Sequence, residues 1–257
     1  MVLLNLLERL RYCRPQIIVA HVNHELRKAS NTEEHYLRSY CRKHHLSLIV
    51  AHWPKDQHPR SGIENAARIF RYRFFAKIMK QERAEVLLTA HHLNDQAETI
   101  LMRLIRGGDL NELTGIHRVR RFANGYLIRP LLRTPKARLY QYAKVHRVKY
   151  YVDRTNYSLK MTRNRMRHLL LPAMERENPQ VLNHLSGYAS QLHQLIRNDR
   201  LLNLKLARSL RMGRSSWWRV TRLCSYPLNL QVGILNELFH LSHADLLITP
   251  PMLREIV

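Results

Sequence analysis

The chain reads as an α/β protein: a parallel-sheet domain followed by a basic, mainly helical region. Three observations predict this. Over the first 150 residues, short apolar runs bounded by charge alternate with longer amphipathic segments. The segments between those runs are long enough for the right-handed helical crossovers that parallel strands require. The charge also changes along the chain: residues 1–116 hold 18 Lys/Arg against 12 Asp/Glu, whereas residues 117–222 hold 24 against 4.

A first helix runs from about Val2 to Arg11, with Leu3, Leu6, Leu7 and Leu10 on one face. The strand Ile17–Ala20 follows and ends in His21-Val22-Asn23-His24; a helix over about Thr32–His45 leads to the strand Leu48–Ala51. A loop with Pro54, Pro59 and Gly62 enters a helix of about Ile63–Lys80, and Val86–Ala90 reads as a buried strand. Beyond it Ala97, Ile100, Leu101, Leu104 and Ile105 recur at helical spacing, giving a helix over about Asn94–Arg106. After Gly107-Gly108, a strand around Tyr126–Ile128 is stopped by Pro130, and Thr134-Pro135 reads as a cap with proline in the first helical turn. From about Arg163 the pattern is mainly helical. Asn178-Pro179 introduces a long helix to about Leu210, and Gly213 with Ser215-Ser216 marks a break. Domains are therefore expected at 1–178 and 179–257.

A chain of 257 residues with 45% hydrophobic content can bury a full core. No apolar run is long enough to span a bilayer, and the N-terminus lacks a small-residue cleavage site. Cys13, Cys41 and Cys224 are isolated, which argues against a disulfide framework or metal cluster and fits a reducing cytoplasm. The net charge of +24 is concentrated after residue 116 and exceeds what solubility requires. It points to a polyanionic partner, and to nucleic acid over an acidic membrane because no amphipathic insertion segment accompanies it.

The chemistry gathers in His91-His92-Leu93-Asn94-Asp95-Gln96-Ala97-Glu98-Thr99, a strand-to-helix turn of the kind where open α/β sheets place ligands. Imidazole, carboxamide and carboxylate groups meet there beside a positive helix terminus, as in a nucleotide or metal site. A plainer reading stands level with this one: Asn94 or Asp95 caps the helix, and Asp95 with Glu98 has capping-box spacing.

Five motifs in order carry a family resemblance. They are His21-Val22-Asn23-His24-Glu25-Leu26-Arg27; Gly62-Ile63-Glu64 with Ala67-Arg68 and Arg71-Tyr72; Ala90 through Thr99; Leu127-Ile128-Arg129-Pro130-Leu131-Leu132; and Asp153-Arg154-Thr155-Asn156 with Arg163-Asn164 and Arg167. Together they closely resemble the bacterial tRNA(Ile)-lysidine synthetases, PP-loop ATPases of the adenine nucleotide alpha hydrolase-like fold. The match covers about residues 1–178, and Asn94 stands where the family often has aspartate.

The resemblance implies ATP-dependent ligation of free lysine onto the wobble cytidine of tRNA(Ile), through an adenylated cytosine. It implies ATP and Mg²⁺, with Asp95 holding the metal or orienting the reacting groups. It places His21, His91, His92 and Asn94 at the nucleotide pocket, and Glu64, Arg68, Arg106, Arg129, Asp153, Asn156, Arg163 and Arg167 toward substrate or tRNA. Plainer roles stand beside several of these: a Glu64–Arg68 salt bridge one turn apart, and helix-dipole complementation by Arg106. Residues 179–257 would serve tRNA recognition.

The family's Ser-Gly-Gly-x-Asp-Ser loop and its preceding strand would stand just before Met1, and neither occurs in these 257 residues. Gly107-Gly108 follows a helix and is no substitute for a phosphate loop. The expectation is an N-terminally truncated catalytic domain, with Thr249–Val257 reading as an element cut short; the chain as written should bind ATP poorly and turn over negligibly. The competing reading is a catalytically inactive tRNA-binding remnant. A tRNA thiolase on the same fold is disfavoured by the isolated cysteines, and a helical DNA-binding protein by the α/β half.

Overall fold

A computed structural model describes residues 1–10, 17–25, 28–59, 61–151, 158–159, 161–210, 219–241, 249 and 251–252. After helix α1 (Val2–Arg9), strand β1 (Ile18–Asn23) pairs in parallel with β2 (Ser47–His52), and α2 (Lys28–Lys43) lies between them in sequence. Helix α3 (Ile63–Gln81) leads to β3 (Val86–Leu88), which pairs in parallel with β5 (Gly125–Ile128). The predicted alternation of helix and strand is present. Helix α2 begins at Lys28, earlier than its apolar periodicity suggested.

One strand escaped the sequence reading. Val119–Phe122 forms β4, antiparallel to β5, so the β3-β5-β4 sheet carries an antiparallel edge. Its Arg120-Arg121 pair disguises the alternation, yet both guanidiniums lie over rings, Arg120 at 5.2 Å from the Phe122 centroid and Arg121 at 4.6 Å from that of Tyr126. The hairpin turns at Ala123-Asn124, with Ala123 at φ 48. Gly125 is required by close approach: a Cβ there would lie 2.0 Å from the Glu85 carbonyl oxygen.

Helix α4 (Leu93–Ile105) starts right after β3 and its connecting turn and buries one face. Leu93, Ala97 and Leu101, four residues apart, pack against Met166, Leu171 and Leu182. Each buried leucine contributes roughly 1.5–3 kcal/mol, which anchors the start of α4 beneath the turn. Helices α6 (Lys136–Val145) and α7 (Thr162–Arg165) follow; a π-helical turn (Met166–Leu170) then joins α7 to α8 (Leu171–Glu177).

The chain forms two compact units, residues 1–107 with 115–186 and residues 108–114 with 187–257, the boundary falling inside the long helix α9 (Val181–Leu210). The second unit contains α5 (Leu110–Leu113), α10 (Val220–Leu223) and α11 (Leu228–Leu241). Its core joins Ala207, Leu210, Leu223, Ile234 and Leu238. Gly213, Ser215 and Ser216, read as a helix break, lie outside the described residues. Among the described residues no helix is long and apolar enough to cross a membrane.

Candidate functional site

The turn between β3 and α4 is built by an unusual cap. His92 is the N-cap of α4: its Nδ1 accepts from the Asp95 amide at 3.3 Å, and Asp95 Oδ2 accepts from the His92 amide at 2.9 Å. This is a reciprocal capping box with imidazole in the place of a hydroxyl. The expected caps are thereby corrected. Asn94 does not cap α4; its Oδ1 accepts from the Lys136 amide at 2.9 Å and so caps the start of α6, where Thr134 and Pro135 supply no side-chain cap. Leu93 N–H donates to the Thr134 carbonyl at 3.0 Å, a second tie between the two helix starts.

Glu98 is not a capping-box partner either. It is fully buried and holds two arginines. Arg163 Nε donates to Oε2 at 2.7 Å; Arg167 Nε donates to Oε1 at 2.7 Å and its Nη2 to Oε2 at 3.0 Å. Arg163 also reaches Asp95 Oδ1 at 3.2 Å, with Arg167 Nη2 3.9 Å from that oxygen. Arg163 and Arg167 straddle the start of the π-helical turn, so α7 and that turn present both guanidiniums to one face of α4. Burial works to lower the Arg167 pKa, but its hydrogen bonds to Glu98 and that carboxylate's charge raise it overall. Sequence reasoning missed Glu98 as an anchor; its place between the buried Ala97 and Leu101 was the available signal.

His91 hydrogen-bonds Thr89 Oγ1 through Nδ1 at 2.9 Å. Burial depresses its pKa to about 4, the Asp95 charge opposes this, and Arg129, Arg163 and Arg68 reinforce it. His92 is lowered as well, chiefly by burial. The turn thus holds two neutral imidazoles facing a field of arginine charge. Arg129 is 3% exposed, donates through Nη1 to the His117 carbonyl, and keeps a buried Nε–H without a partner. Arg68 lies 5.2 Å from the Tyr72 ring centroid, and Arg120 lies 5.6 Å from the same ring. No ion pair joins Glu64 to Arg68 among the described residues, so the one-turn salt bridge read from the sequence is not formed; Glu64 acts electrostatically on Arg71.

His21 belongs to a second cluster, at the C-terminal ends of β1 and β2. Its Nε2 is buried without a partner, and burial lowers its pKa while Glu34 opposes this. Asn23, 1% exposed, donates to Asn31 and Glu34 at 2.9 Å each and accepts from the Glu25 amide at 3.0 Å. His24 is depressed to about 4 by burial and then by Arg71, whose own guanidinium feels Arg163. Arg71 therefore couples the two clusters electrostatically.

Like His21, Arg106 is not brought to the turn. Arg106 ends α4 at its far, exposed C-cap, about 20 Å along a helix of this length; it complements the dipole there. Asp153 and Asn156 lie outside the described residues. Among the described residues the donor set of the turn does not fit an Mg²⁺ held by protein ligands alone. Asp95 is the one carboxylate of the turn not committed wholly to arginine pairing, and its two oxygens are engaged by the His92 amide and Arg163. Among the described residues no group of three or more His, Cys, Asp or Glu side chains is placed to hold a metal ion.

Residues 1–174 match the family model of the PP-loop domain. The chain belongs to the PP-loop family. Its sequence is 52% identical over 197 residues to the tRNA(Ile)-lysidine synthase of Lactiplantibacillus plantarum, covering 76% of this chain and 44% of that protein. It is 47% identical over 176 residues to the tRNA(Ile)-lysidine synthase of Enterococcus faecalis, covering 68% of this chain and 38% of that protein. The chain thus spans less than half the length of these curated relatives. A solved structure, the U34-tRNA thiolase NcsA from Methanococcus maripaludis with its [4Fe-4S] cluster, superposes with a TM-score of 0.61 at 17% identity, covering 74% of this chain and 66% of that one. That likeness concerns the PP-loop fold alone. Cys41 is buried and Cys224 exposed, and neither forms a disulfide.

Proposed function

We propose that the protein carrying this chain is an ATP-dependent tRNA(Ile)-lysidine synthase, with residues 1–178 forming its catalytic part and 179–257 a helical tRNA-recognition part. The carbonyl oxygen of the wobble cytosine attacks the α-phosphate of ATP and expels pyrophosphate. The side-chain amine of lysine then attacks the activated carbon, loses a proton, and displaces AMP. Adenylation is what makes the second step feasible, because it converts a carbonyl oxygen into a good leaving group.

The observation that carries this reading is an arginine-rich, acid-poor surround at the β3–α4 turn. Arg129 and Arg68 have no carboxylate partner among the described residues, and the Arg129 Nε–H is buried unpaired. Such a set suits the phosphates of ATP and of the tRNA backbone. Asp95 orients the reacting groups beside that anionic substrate, while Glu98 keeps Arg163 and Arg167 extended toward it. His91 and His92 line the pocket as neutral rings.

The test is ATP-dependent incorporation of labelled lysine into unmodified tRNA(Ile). It is run with the 257-residue chain and with a form carrying a strand and Ser-Gly-Gly-x-Asp-Ser before Met1. The extended form should incorporate lysine and release pyrophosphate only when tRNA is present, and a tRNA with uridine at the wobble position should be inert. Salt-sensitive tRNA binding with no incorporation by the extended form would instead favour a tRNA-binding protein without ligase chemistry.

A further inference from the structure

Beside the β3–α4 turn lies a surface that none of this chemistry uses. Residues 136–151 contain four tyrosines and five Lys/Arg with no Asp or Glu. The Lys136 ammonium lies 5.4 Å from the Tyr140 ring centroid, and the Tyr140 and Tyr150 rings are 5.2 Å apart at 46°. Lys149 sits between two further rings, 5.2 Å from Tyr36 and 5.3 Å from Tyr151. Tyr140, Tyr150 and Tyr151 are nevertheless 39%, 45% and 39% exposed. Tyr140, Lys144, Arg147, Lys149 and Tyr150 line a concavity of about 580 Å³.

We propose that this strip is a stacking surface for unpaired bases of an RNA, continuous with the β3–α4 turn. Continuity rests on the Lys136 amide, which donates to Asn94 Oδ1 at 2.9 Å and so ties the first residue of α6 to the turn. The chemistry fits one occupant. Tilted rings leave faces open to a planar base, and the cations of a segment that carries no Asp or Glu match a phosphate backbone. A duplex presents neither free base faces nor the curvature to enter a concavity of this size. The inference deepens the reading of the protein as a tRNA-modifying ligase, and rests on it, by naming where the single-stranded part of the substrate lies.

The experiment measures binding of the 257-residue chain to an anticodon stem–loop RNA and to a fully paired RNA duplex of equal length. Three proteins are compared: wild type, a Tyr140→Ala/Tyr150→Ala variant, and a Tyr140→Phe/Tyr150→Phe variant. The alanine variant should lose at least about tenfold in stem–loop affinity, with duplex affinity within about twofold of wild type, and the phenylalanine variant should recover the loss. A Lys149→Ala variant should make the slope of log affinity against log salt shallower by about one. If the alanine variant binds the stem–loop as wild type does, the strip is not the base-binding surface, and the ligase reading stands. Equal loss on both RNAs overturns base stacking in favour of general charge attraction. If wild type binds neither RNA, the functional reading falls and the strip with it.

Discussion

Replacing Glu98 by glutamine should destabilise the first unit by about 2–3 kcal/mol. Breaking one side of a buried charge cluster costs roughly 3–5 kcal/mol, because the remaining charge is left uncompensated. Here two guanidiniums would be left, but their side chains are 29% and 20% exposed, so water takes over part of the solvation. Glutamine also keeps the volume and one acceptor for the Nε donors of Arg163 and Arg167. In a unit of this size about 2–3 kcal/mol corresponds to a fall of roughly 5–10 °C in Tm. The assay is urea unfolding followed by hydrogen exchange of α4 peptides, with Arg167→Ala and the double variant completing a cycle. A coupling of about 2 kcal/mol between the two sites is expected. The reasoning fails if Glu98→Gln unfolds within about 0.5 kcal/mol of wild type, because Glu98 would then not be the anchor of both arginines.

Further outcomes follow from the histidines, the hairpin and the shared cap. His24 and His91 have folded pKa values of about 4 against an ordinary value near 6.5. Above pH 6.5 both states keep the rings neutral; between about 6.5 and 4 the unfolded chain binds protons that the folded chain excludes, so stability falls as pH falls. Discounted for partial exposure, each ring should cost about 1–2 kcal/mol across that window, and His91→Gln should flatten the denaturation-against-pH curve. Gly125→Ala should cost about 2–3 kcal/mol, since its Cβ meets backbone and not a movable side chain; a melting curve equal to wild type would contradict that close approach. Asn94→Ala should cost about 1 kcal/mol and speed exchange of the Lys136 amide about fivefold; unaltered exchange there would show that Asn94 is not the cap of α6.

How much of this was legible depended on range along the chain. The strand–turn–helix at 86–105 was readable because its apolar spacing is local, and Arg163 and Arg167 came forward through motif resemblance. The pairing of both with Glu98 was not readable: it joins residues 65 and 69 positions apart, and local spacing offered a capping box instead. Imidazole is an uncommon cap, so His92 was passed over for the more ordinary Asn94 and Asp95. Asn94 in turn acts on α6, 42 residues further on, which no periodicity within α4 reveals. Strand β4 was obscured by its arginines, although Asn124-Gly125 was the turn signal that marks a hairpin.

The His92 cap has a consequence for the hydrogen its ring carries. Because Nδ1 spends its lone pair on the Asp95 amide, the neutral ring must be the Nε2–H tautomer. The ring then offers its surroundings a hydrogen-bond donor and no free lone pair. Protonating Nδ1 would turn it toward the Asp95 carboxylate, 3.3 Å away, and strip the amide of its acceptor. The first turn of α4 thus holds the side chain in one prototropic form, and that form fixes the polarity of what it can meet.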